Sequence, residues 1–279
     1  MELTALADPL FRLPLAVGLL LACVLPLLGA LLMLRDEWLA ALGFAHLAAA
    51  GAVLGLAIGL PALPGGLAAA AGGAFAKGVG RVRGNAAFGF MILGGWAVLL
   101  LAAANSGHGE QLGHALVEGQ LYFAGPMDLG GAIFLVLICA VALPRLMPRL
   151  LRARLLPQHE AANRLPSRRW HLGFDLLAAA GMAVATASMG LMAAFAMVLV
   201  PAWMAFRMAT GWRWTLIWSA AIGLLGYLLG FATALLLDQP FGPTFVIVLL
   251  GFALSSASLT TSRERRQPRR PHGGQSAKR

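Results

Sequence analysis

Residues 14–34 read PLAVGLLLACVLPLLGALLML, and Arg35 follows at once. No charge interrupts this run. A helix needs about 20 predominantly apolar residues to cross the hydrocarbon core of a bilayer, and this run supplies them. Glu2 and Asp8 precede it where a cleaved signal would carry basic residues, so it reads as a first spanning helix and not a signal peptide.

The same reading along the chain predicts an all-α, polytopic transmembrane helical bundle of about nine spans. They fall near 14–34, 39–60, 64–76, 85–104, 130–147, 171–187, 190–206, 214–236 and 243–260. The third is short and rich in Gly and Ala, and either starts nearer Leu60 or packs deep within protein. Residues 171–206 are too long for one helix, and small residues place the reversal between Thr186 and Gly190.

The chain has 59% hydrophobic and 11% charged residues, against the roughly one-quarter charged usage of soluble domains. Cys23 and Cys139 lie inside apolar stretches without a pairing spacing and read as small hydrophobes. The net charge of +10 does not suit nucleic acid, because the cations sit in short gaps and form no basic face.

Those gaps orient the chain. Every Lys and Arg except Arg12 falls in alternate connections: after the first span, around 77–83, across 145–169, at 207–213, and from Arg263 onward. The opposite gaps carry Glu2, Asp8, Glu110, Glu118, Asp128 and Asp238. Cytoplasmic loops concentrate Lys and Arg, so nine spans put the N-terminus outside and the C-terminus inside. Eight or ten spans would strand either the tail or the 145–169 loop on the wrong side. The domain reading is a transmembrane domain over 1–261 and a basic, disordered tail over 262–279, a topology anchor drawn to anionic membrane lipid. The long inside connection includes Glu160-Ala161-Ala162, a short helix former expected to lie along the membrane surface.

Polar groups within the membrane are costly, which makes them candidates for function. His46 lies well inside the second span; a neutral imidazole there can bind a metal, relay a proton or hydrogen-bond a neighbouring helix. Asp175 is read as a structural ion pair with Arg168 and Arg169, and His171 as interfacial. His108 and His114 share the outer loop 105–129 with two glutamates, at no recognised ligand spacing. Pro201 is expected to kink its span. Asp238, Pro240 and Gly242 form an outer turn. Ser188 is the one nucleophile to weigh with His46, but it lacks a Gly-x-Ser-Gly elbow, so no enzyme is predicted. A P-loop is also missing, so ATP would have to be bound by a partner.

Four segments in this order resemble the membrane permease of bacterial ABC importers for zinc, manganese or iron. Arg35 to Gly51 is similar to that family's basic residue followed by a Gly/Ala-rich helix with Asp-x-x-x-His. Leu121-Tyr122-Phe123-Ala124-Gly125 resembles its Leu-Phe-Gly loop. Met189-Gly190 through Leu199-Val200-Pro201-Ala202 resembles its Val-Gly to Pro-Ala-Ala helix, and Asp238 to Pro243 its Asp-x-Pro-x-Gly-Pro turn. The resemblance covers roughly residues 10–258. It implies an inner-membrane permease with a second permease copy, a cytoplasmic ATPase dimer and a periplasmic or surface metal-binding protein. It also implies a metal path through His46, an ATPase contact at Glu160, Ala161 and Ala162, and no cofactor; His108 and His114 are candidate outer metal contacts on the strength of the outer loop alone.

Two positions depart. Leu42 stands where the family has Asp, removing the anionic half of an i, i+4 pair on one helix face. Leu165 stands where a Gly is usual in the cytoplasmic segment. The alternative reading is an ion-coupled secondary transporter of a small solute. That would need carboxylates near mid-membrane, which the chain does not offer. Reporter fusions at Gly109 and at the C-terminus should report outside and inside respectively; the reverse pair would refute the nine-span topology.

Overall fold

A computed structural model describes residues 9–80, 84–105, 119, 121–163 and 167–266. Among them there are nine long helices and no strand. They are α1 (Arg12–Leu34), α2 (Leu39–Ala57), α3 (Ala62–Val79), α4 (Asn85–Ala104) and α5 (Pro126–Leu155); then, after the short α6 (Pro157–Ala162), α7 (Ser167–Met189), α8 (Leu191–Met208), α9 (Trp212–Leu236) and α10 (Phe241–Arg266). Each long helix occupies one of the nine windows read as spans. Seven are long and apolar enough to cross a membrane. The other two are α3, whose Gly and Ala lower its hydropathy, and α10, whose apolar stretch is the shorter Phe241–Ser256.

Three helix ends share one solution to their unpaired carbonyls. At the close of α1 the amide of Asp36 donates to the Met33 carbonyl and that of Glu37 to Leu32. The same 5→2 and 6→1 pattern closes α2 at Gly59 and Leu60, and α9 at Asp238 and Gln239. It requires a left-handed residue, and Asp36, Gly59 and Asp238 have φ of 60°, 80° and 51°. Asp tolerates that region better than most side chains. The Asp238 turn is therefore a helix stop, with Pro240 just beyond it and α10 beginning at Phe241. The reversal between α7 and α8 falls at Gly190, φ 86°, within the predicted window.

The helices approach one another through glycine. A Cβ added to Gly65 of α3 would lie 2.4 Å from the Gly51 carbonyl oxygen of α2, and one added to Gly51 equally close to the carbonyl oxygen of Gly65. A Cβ on Gly95 of α4 would fall 2.7–2.9 Å from His46 atoms. Across the bundle, α1 docks Gly29 on the Val198 carbonyl of α8 and Gly18 on the Tyr227 ring of α9. Tyr227, fully buried, donates its hydroxyl to the Pro14 carbonyl at 3.0 Å. Small residues allow this contact, which gives van der Waals packing where lipid removes the hydrophobic drive between helices. By contrast α4, α5 and α10 turn large apolar side chains outward, including Leu93, Phe134 and Leu254. Such a surface suits hydrocarbon rather than water.

One expectation needs correction. The fifth span, expected to end at 147, continues as α5 to Leu155 through Pro144 and Pro148. Its 30 residues reach about 45 Å, longer than the hydrocarbon core. The first part of the predicted connection is thus the end of that helix, held where Arg149 lies 3.3 Å from the Trp170 ring centroid of α7. Of the basic tail expected over 262–279, the structure describes only the end of α10, to Arg266; residues 267–279 lie outside the described residues.

The reciprocal fit of Gly51 and Gly65 leaves backbone with no room to yield. Gly65→Val should destabilise the protein by at least about 1–3 kcal/mol, the range for overpacking, seen as a lower melting temperature in detergent. Gly72→Ala, with nothing within 4 Å of the new methyl, should melt at or above wild type.

Candidate functional site

His46 is buried in α2, facing α4. Its Nδ1 lies 2.9 Å from the Leu42 carbonyl oxygen, one turn earlier. A carbonyl only accepts, so Nδ1 of the neutral ring carries the hydrogen and Nε2 keeps the lone pair. The ring packs on Trp96 of α4 at a centroid distance of 5.4 Å, and its backbone and Cβ face Gly95. The hydrogen bond expected to a neighbouring helix goes instead to the backbone of α2 itself, the ring packs against α4, and Nε2 is the nitrogen left without that bond. Among the described residues no group of three or more His, Cys, Asp or Glu could hold an ion within this chain.

The larger polar assembly lies at the basic end of the bundle. The sharp stop of α1 directs Arg35 and Glu37 toward Lys77 near the end of α3 and Asp175 near the start of α7. Arg35 reaches Asp175 at 2.7 Å and Glu37 at 2.5 Å; Lys77 reaches Glu37 at 2.8 Å and Asp175 at 2.9 Å. Each carboxylate meets both cations. The Asp175 side chain is 3% exposed, a burial that would be very costly for an unpaired charge. Two aromatic faces add to the set, with Arg35 5.1 Å from the Phe174 ring centroid and Lys77 4.9 Å from that of Phe88.

Asp175 thus does not pair with Arg168 and Arg169 as predicted. Arg168 sits two turns, or roughly 10 Å, along the helix, and it donates Nε and Nη2 to the Gly78 carbonyl at the end of α3. The four-residue set has no local signature: Asp175 is 140 residues from Arg35 and 98 from Lys77. The one hint was that four charges stood at the ends of apolar spans. Asp175 is a buried carboxylate, but it is neutralised by two cations at one end of the bundle, unlike the unpaired mid-membrane acid of the alternative reading.

At the opposite end, Leu121–Phe123 forms a single 3-10 turn. Tyr122 packs between Phe11 and Phe231, each ring centroid 5.8 Å away. Burial, and then the Asp238 carboxylate, push its hydroxyl up to about 12. Asp128 caps α5 by accepting the Gly125 amide at 2.9 Å. The Ser188 hydroxyl lies 3.2 Å from the other Asp128 oxygen and 2.9 Å from the Val184 carbonyl, contacts that account for it as a packing residue.

The remaining candidates separate. Pro201 is buried inside α8, while Pro240 and Gly242 flank the start of α10. Glu160, Ala161 and Ala162 end the short α6. His108 and His114 lie outside the described residues.

Removing Asp175 would leave two buried cations, Arg35 and Lys77, sharing the single carboxylate of Glu37. Asp175→Ala should cost about 3–5 kcal/mol, the range for breaking a buried pair, read by thermal unfolding in detergent. The double variant Asp175→Leu/Lys77→Met keeps the Arg35–Glu37 pair and should recover part of the loss. A double variant no more stable than the single would mean that the charges themselves do not hold these helices.

The ABC 3 transport family profile matches residues 8–260. No curated protein matches. Among solved structures, PsaBC from Streptococcus pneumoniae in complex with Fab is similar at a TM-score of 0.79 and 18% identity, over 91% of this chain and 92% of that one. An inward-facing metal-chelate type ABC transporter is similar at 0.70 and 15% identity, over 95% of this chain and 91% of the other. At such identities the structural likeness is one of fold.

Proposed function

We infer the function from one premise: the chain belongs to the ABC 3 transport family. It is a multi-pass membrane permease of the metal-type ABC transporters. On that basis we assign it the import of a divalent metal ion, zinc foremost, with manganese or iron as the other cargoes of its class. A separate ATPase dimer supplies the energy, a periplasmic or surface binding protein delivers the metal, and a second permease copy completes the path. The metal is substrate here, not a resident cofactor. The family match carries this reading. The description of one solved relative as a metal-chelate type transporter supports a metal cargo.

The orientation follows from charge. The basic end, with Arg35, Lys77 and the end of α5, faces the cytoplasm of a bacterial inner membrane, and the N-terminus lies outside. The short α6 then projects on the cytoplasmic side between α5 and α7, where Glu160, Ala161 and Ala162 are suited to meet the ATPase.

His46 is the metal contact within the membrane, with His108 and His114 as outer contacts. Its Nδ1 is committed to the Leu42 carbonyl, so Nε2 keeps a lone pair to offer a cation without any proton having to leave. Leu42 supplies a backbone acceptor but no carboxylate, so one chain offers a single neutral ligand. Such a site holds a dication weakly, as a conduit must. Two copies of His46 raise the ligand count in the assembled permease.

His46→Ala should reduce metal-dependent growth under chelation at least about tenfold in the dose response, equivalent to roughly 1.4 kcal/mol of binding, while protein level and ATPase co-purification remain normal. Leu42→Asp should be tolerated, because it restores the i, i+4 carboxylate–imidazole pair on one face. Wild-type metal uptake by His46→Ala would reduce His46 to a packing residue against Trp96.

A further inference from the structure

Beside the ion set, the ends of α3, α5 and α7 border an open cavity of about 730 Å³. That is within the roughly 300–1,000 Å³ of small-ligand sites. Its lining is unbalanced. Among the described residues, four cations, Arg35, Lys77, Arg154 and Arg168, face it with two carboxylates, Glu37 and Asp175. The two carboxylates are consumed, since each is bonded to both Arg35 and Lys77, which leaves that group of four electrically neutral. Arg168 and Arg154 are the surplus. Arg168 spends donors on a neutral carbonyl, that of Gly78, and has no carboxylate partner among the described residues. Arg154 has no carboxylate partner among the described residues. Its neighbour Arg149 is held on the Trp170 ring, which ties this stretch of α5 to α7.

We propose that this cavity binds a phosphate group, carried either by the headgroup of an anionic phospholipid or by a free phosphate anion. Two guanidiniums from different helices across one cavity match the chemistry of a phosphate, which takes several N–H donors at once. A metal cation is a poor occupant, because it would meet a net positive lining. The position favours the lipid source: the cavity lies at the ends of spanning helices, and its lining includes Val79, 62% exposed, with Leu150 and Leu172. Apolar groups beside the cations suit the junction of a headgroup with its acyl chains. Arg168 already bridges α7 to α3, so a phosphate shared with Arg154 would tie α5 into the same junction, next to α6.

The test uses the purified full-length protein in a zwitterionic detergent, melted with added phosphatidylglycerol, phosphatidylcholine or inorganic phosphate. Phosphatidylglycerol should raise the melting temperature saturably, as any ligand of the folded state does, and phosphatidylcholine should not. Arg154→Gln and Arg168→Gln should each weaken the apparent affinity about tenfold or more, the loss of one hydrogen-bonded charge. Arg145→Gln is the control: Arg145 is on the same helix but donates to its own Val141 carbonyl outside the cavity, so it should keep the wild-type response. Arg154 is exposed, so its variant should fold normally. A shift with inorganic phosphate that Arg154→Gln abolishes identifies a free-phosphate site; a shift confined to phosphatidylglycerol identifies the lipid. The proposal is overturned if neither anion shifts the melt, or if all three variants respond as wild type. Equal losses in Arg145→Gln and Arg154→Gln would overturn it too, since only overall surface charge would then be at work.

Discussion

Helices in a bilayer gain little by hiding apolar side chains from one another, because the lipid tails are as apolar as leucine. What remains is close contact, and here it depends on backbone meeting backbone. Gly51 and Gly65 bring α2 and α3 together, Gly95 brings α4 against His46, and Gly29 brings α1 onto α8. With these positions filled by larger residues, the helices would stand apart and the dispersion contacts between them would weaken. The central place of α2, packed against α3, α4, α7 and α8, follows from this economy of size. So does the location of His46, whose ring meets Trp96 because Gly95 lets α4 come near.

The charges at one end of the bundle obey the opposite rule. They cannot be small or neutral, so they must be matched. Asp175 alone would be expelled from its position; between Arg35 and Lys77, with Glu37 closing the set, it is retained. The arrangement joins the α1–α2 turn, α3 and α7 through groups of fixed sign. Its geometry depends on the left-handed Asp36, which ends α1 abruptly enough to place Arg35 and Glu37 two residues apart on the same set. The neutrality of that set leaves the surplus at Arg154 and Arg168 legible as a charge able to attract something else.

His46 joins the two themes. It is polar within a tightly packed helix, and its Nδ1 is satisfied by its own backbone through Leu42. That bond removes the cost of burying one nitrogen and sets the tautomer of the other. The loss of a carboxylate at position 42 therefore does not unsettle the imidazole; it changes the charge available to a cation, not the direction in which the ring can offer its lone pair.

Much of the fold was legible in the residues alone. Span lengths, the alternation of basic gaps and the stops at Gly190 and Asp238 are properties of short stretches: hydropathy over one helix, charge over one gap, φ at one turn. Linear reading captures them because their causes are local. It failed where the cause was a neighbour distant in sequence. Asp175 was given Arg168 and Arg169 because they stand closest along the chain, whereas its partners are 140 and 98 residues away. The arginine-rich stretch from 148 reads as a connection between spans, yet it continues α5, and Trp170 of α7 meets Arg149 of its final turns. The amino-acid order by itself determined how many times the chain turns and which ends collect the cations. Only the tertiary structure decided which helix each charge and each glycine faces. Pairing energies depend on separation in space, and at these positions separation along the chain says nothing about it.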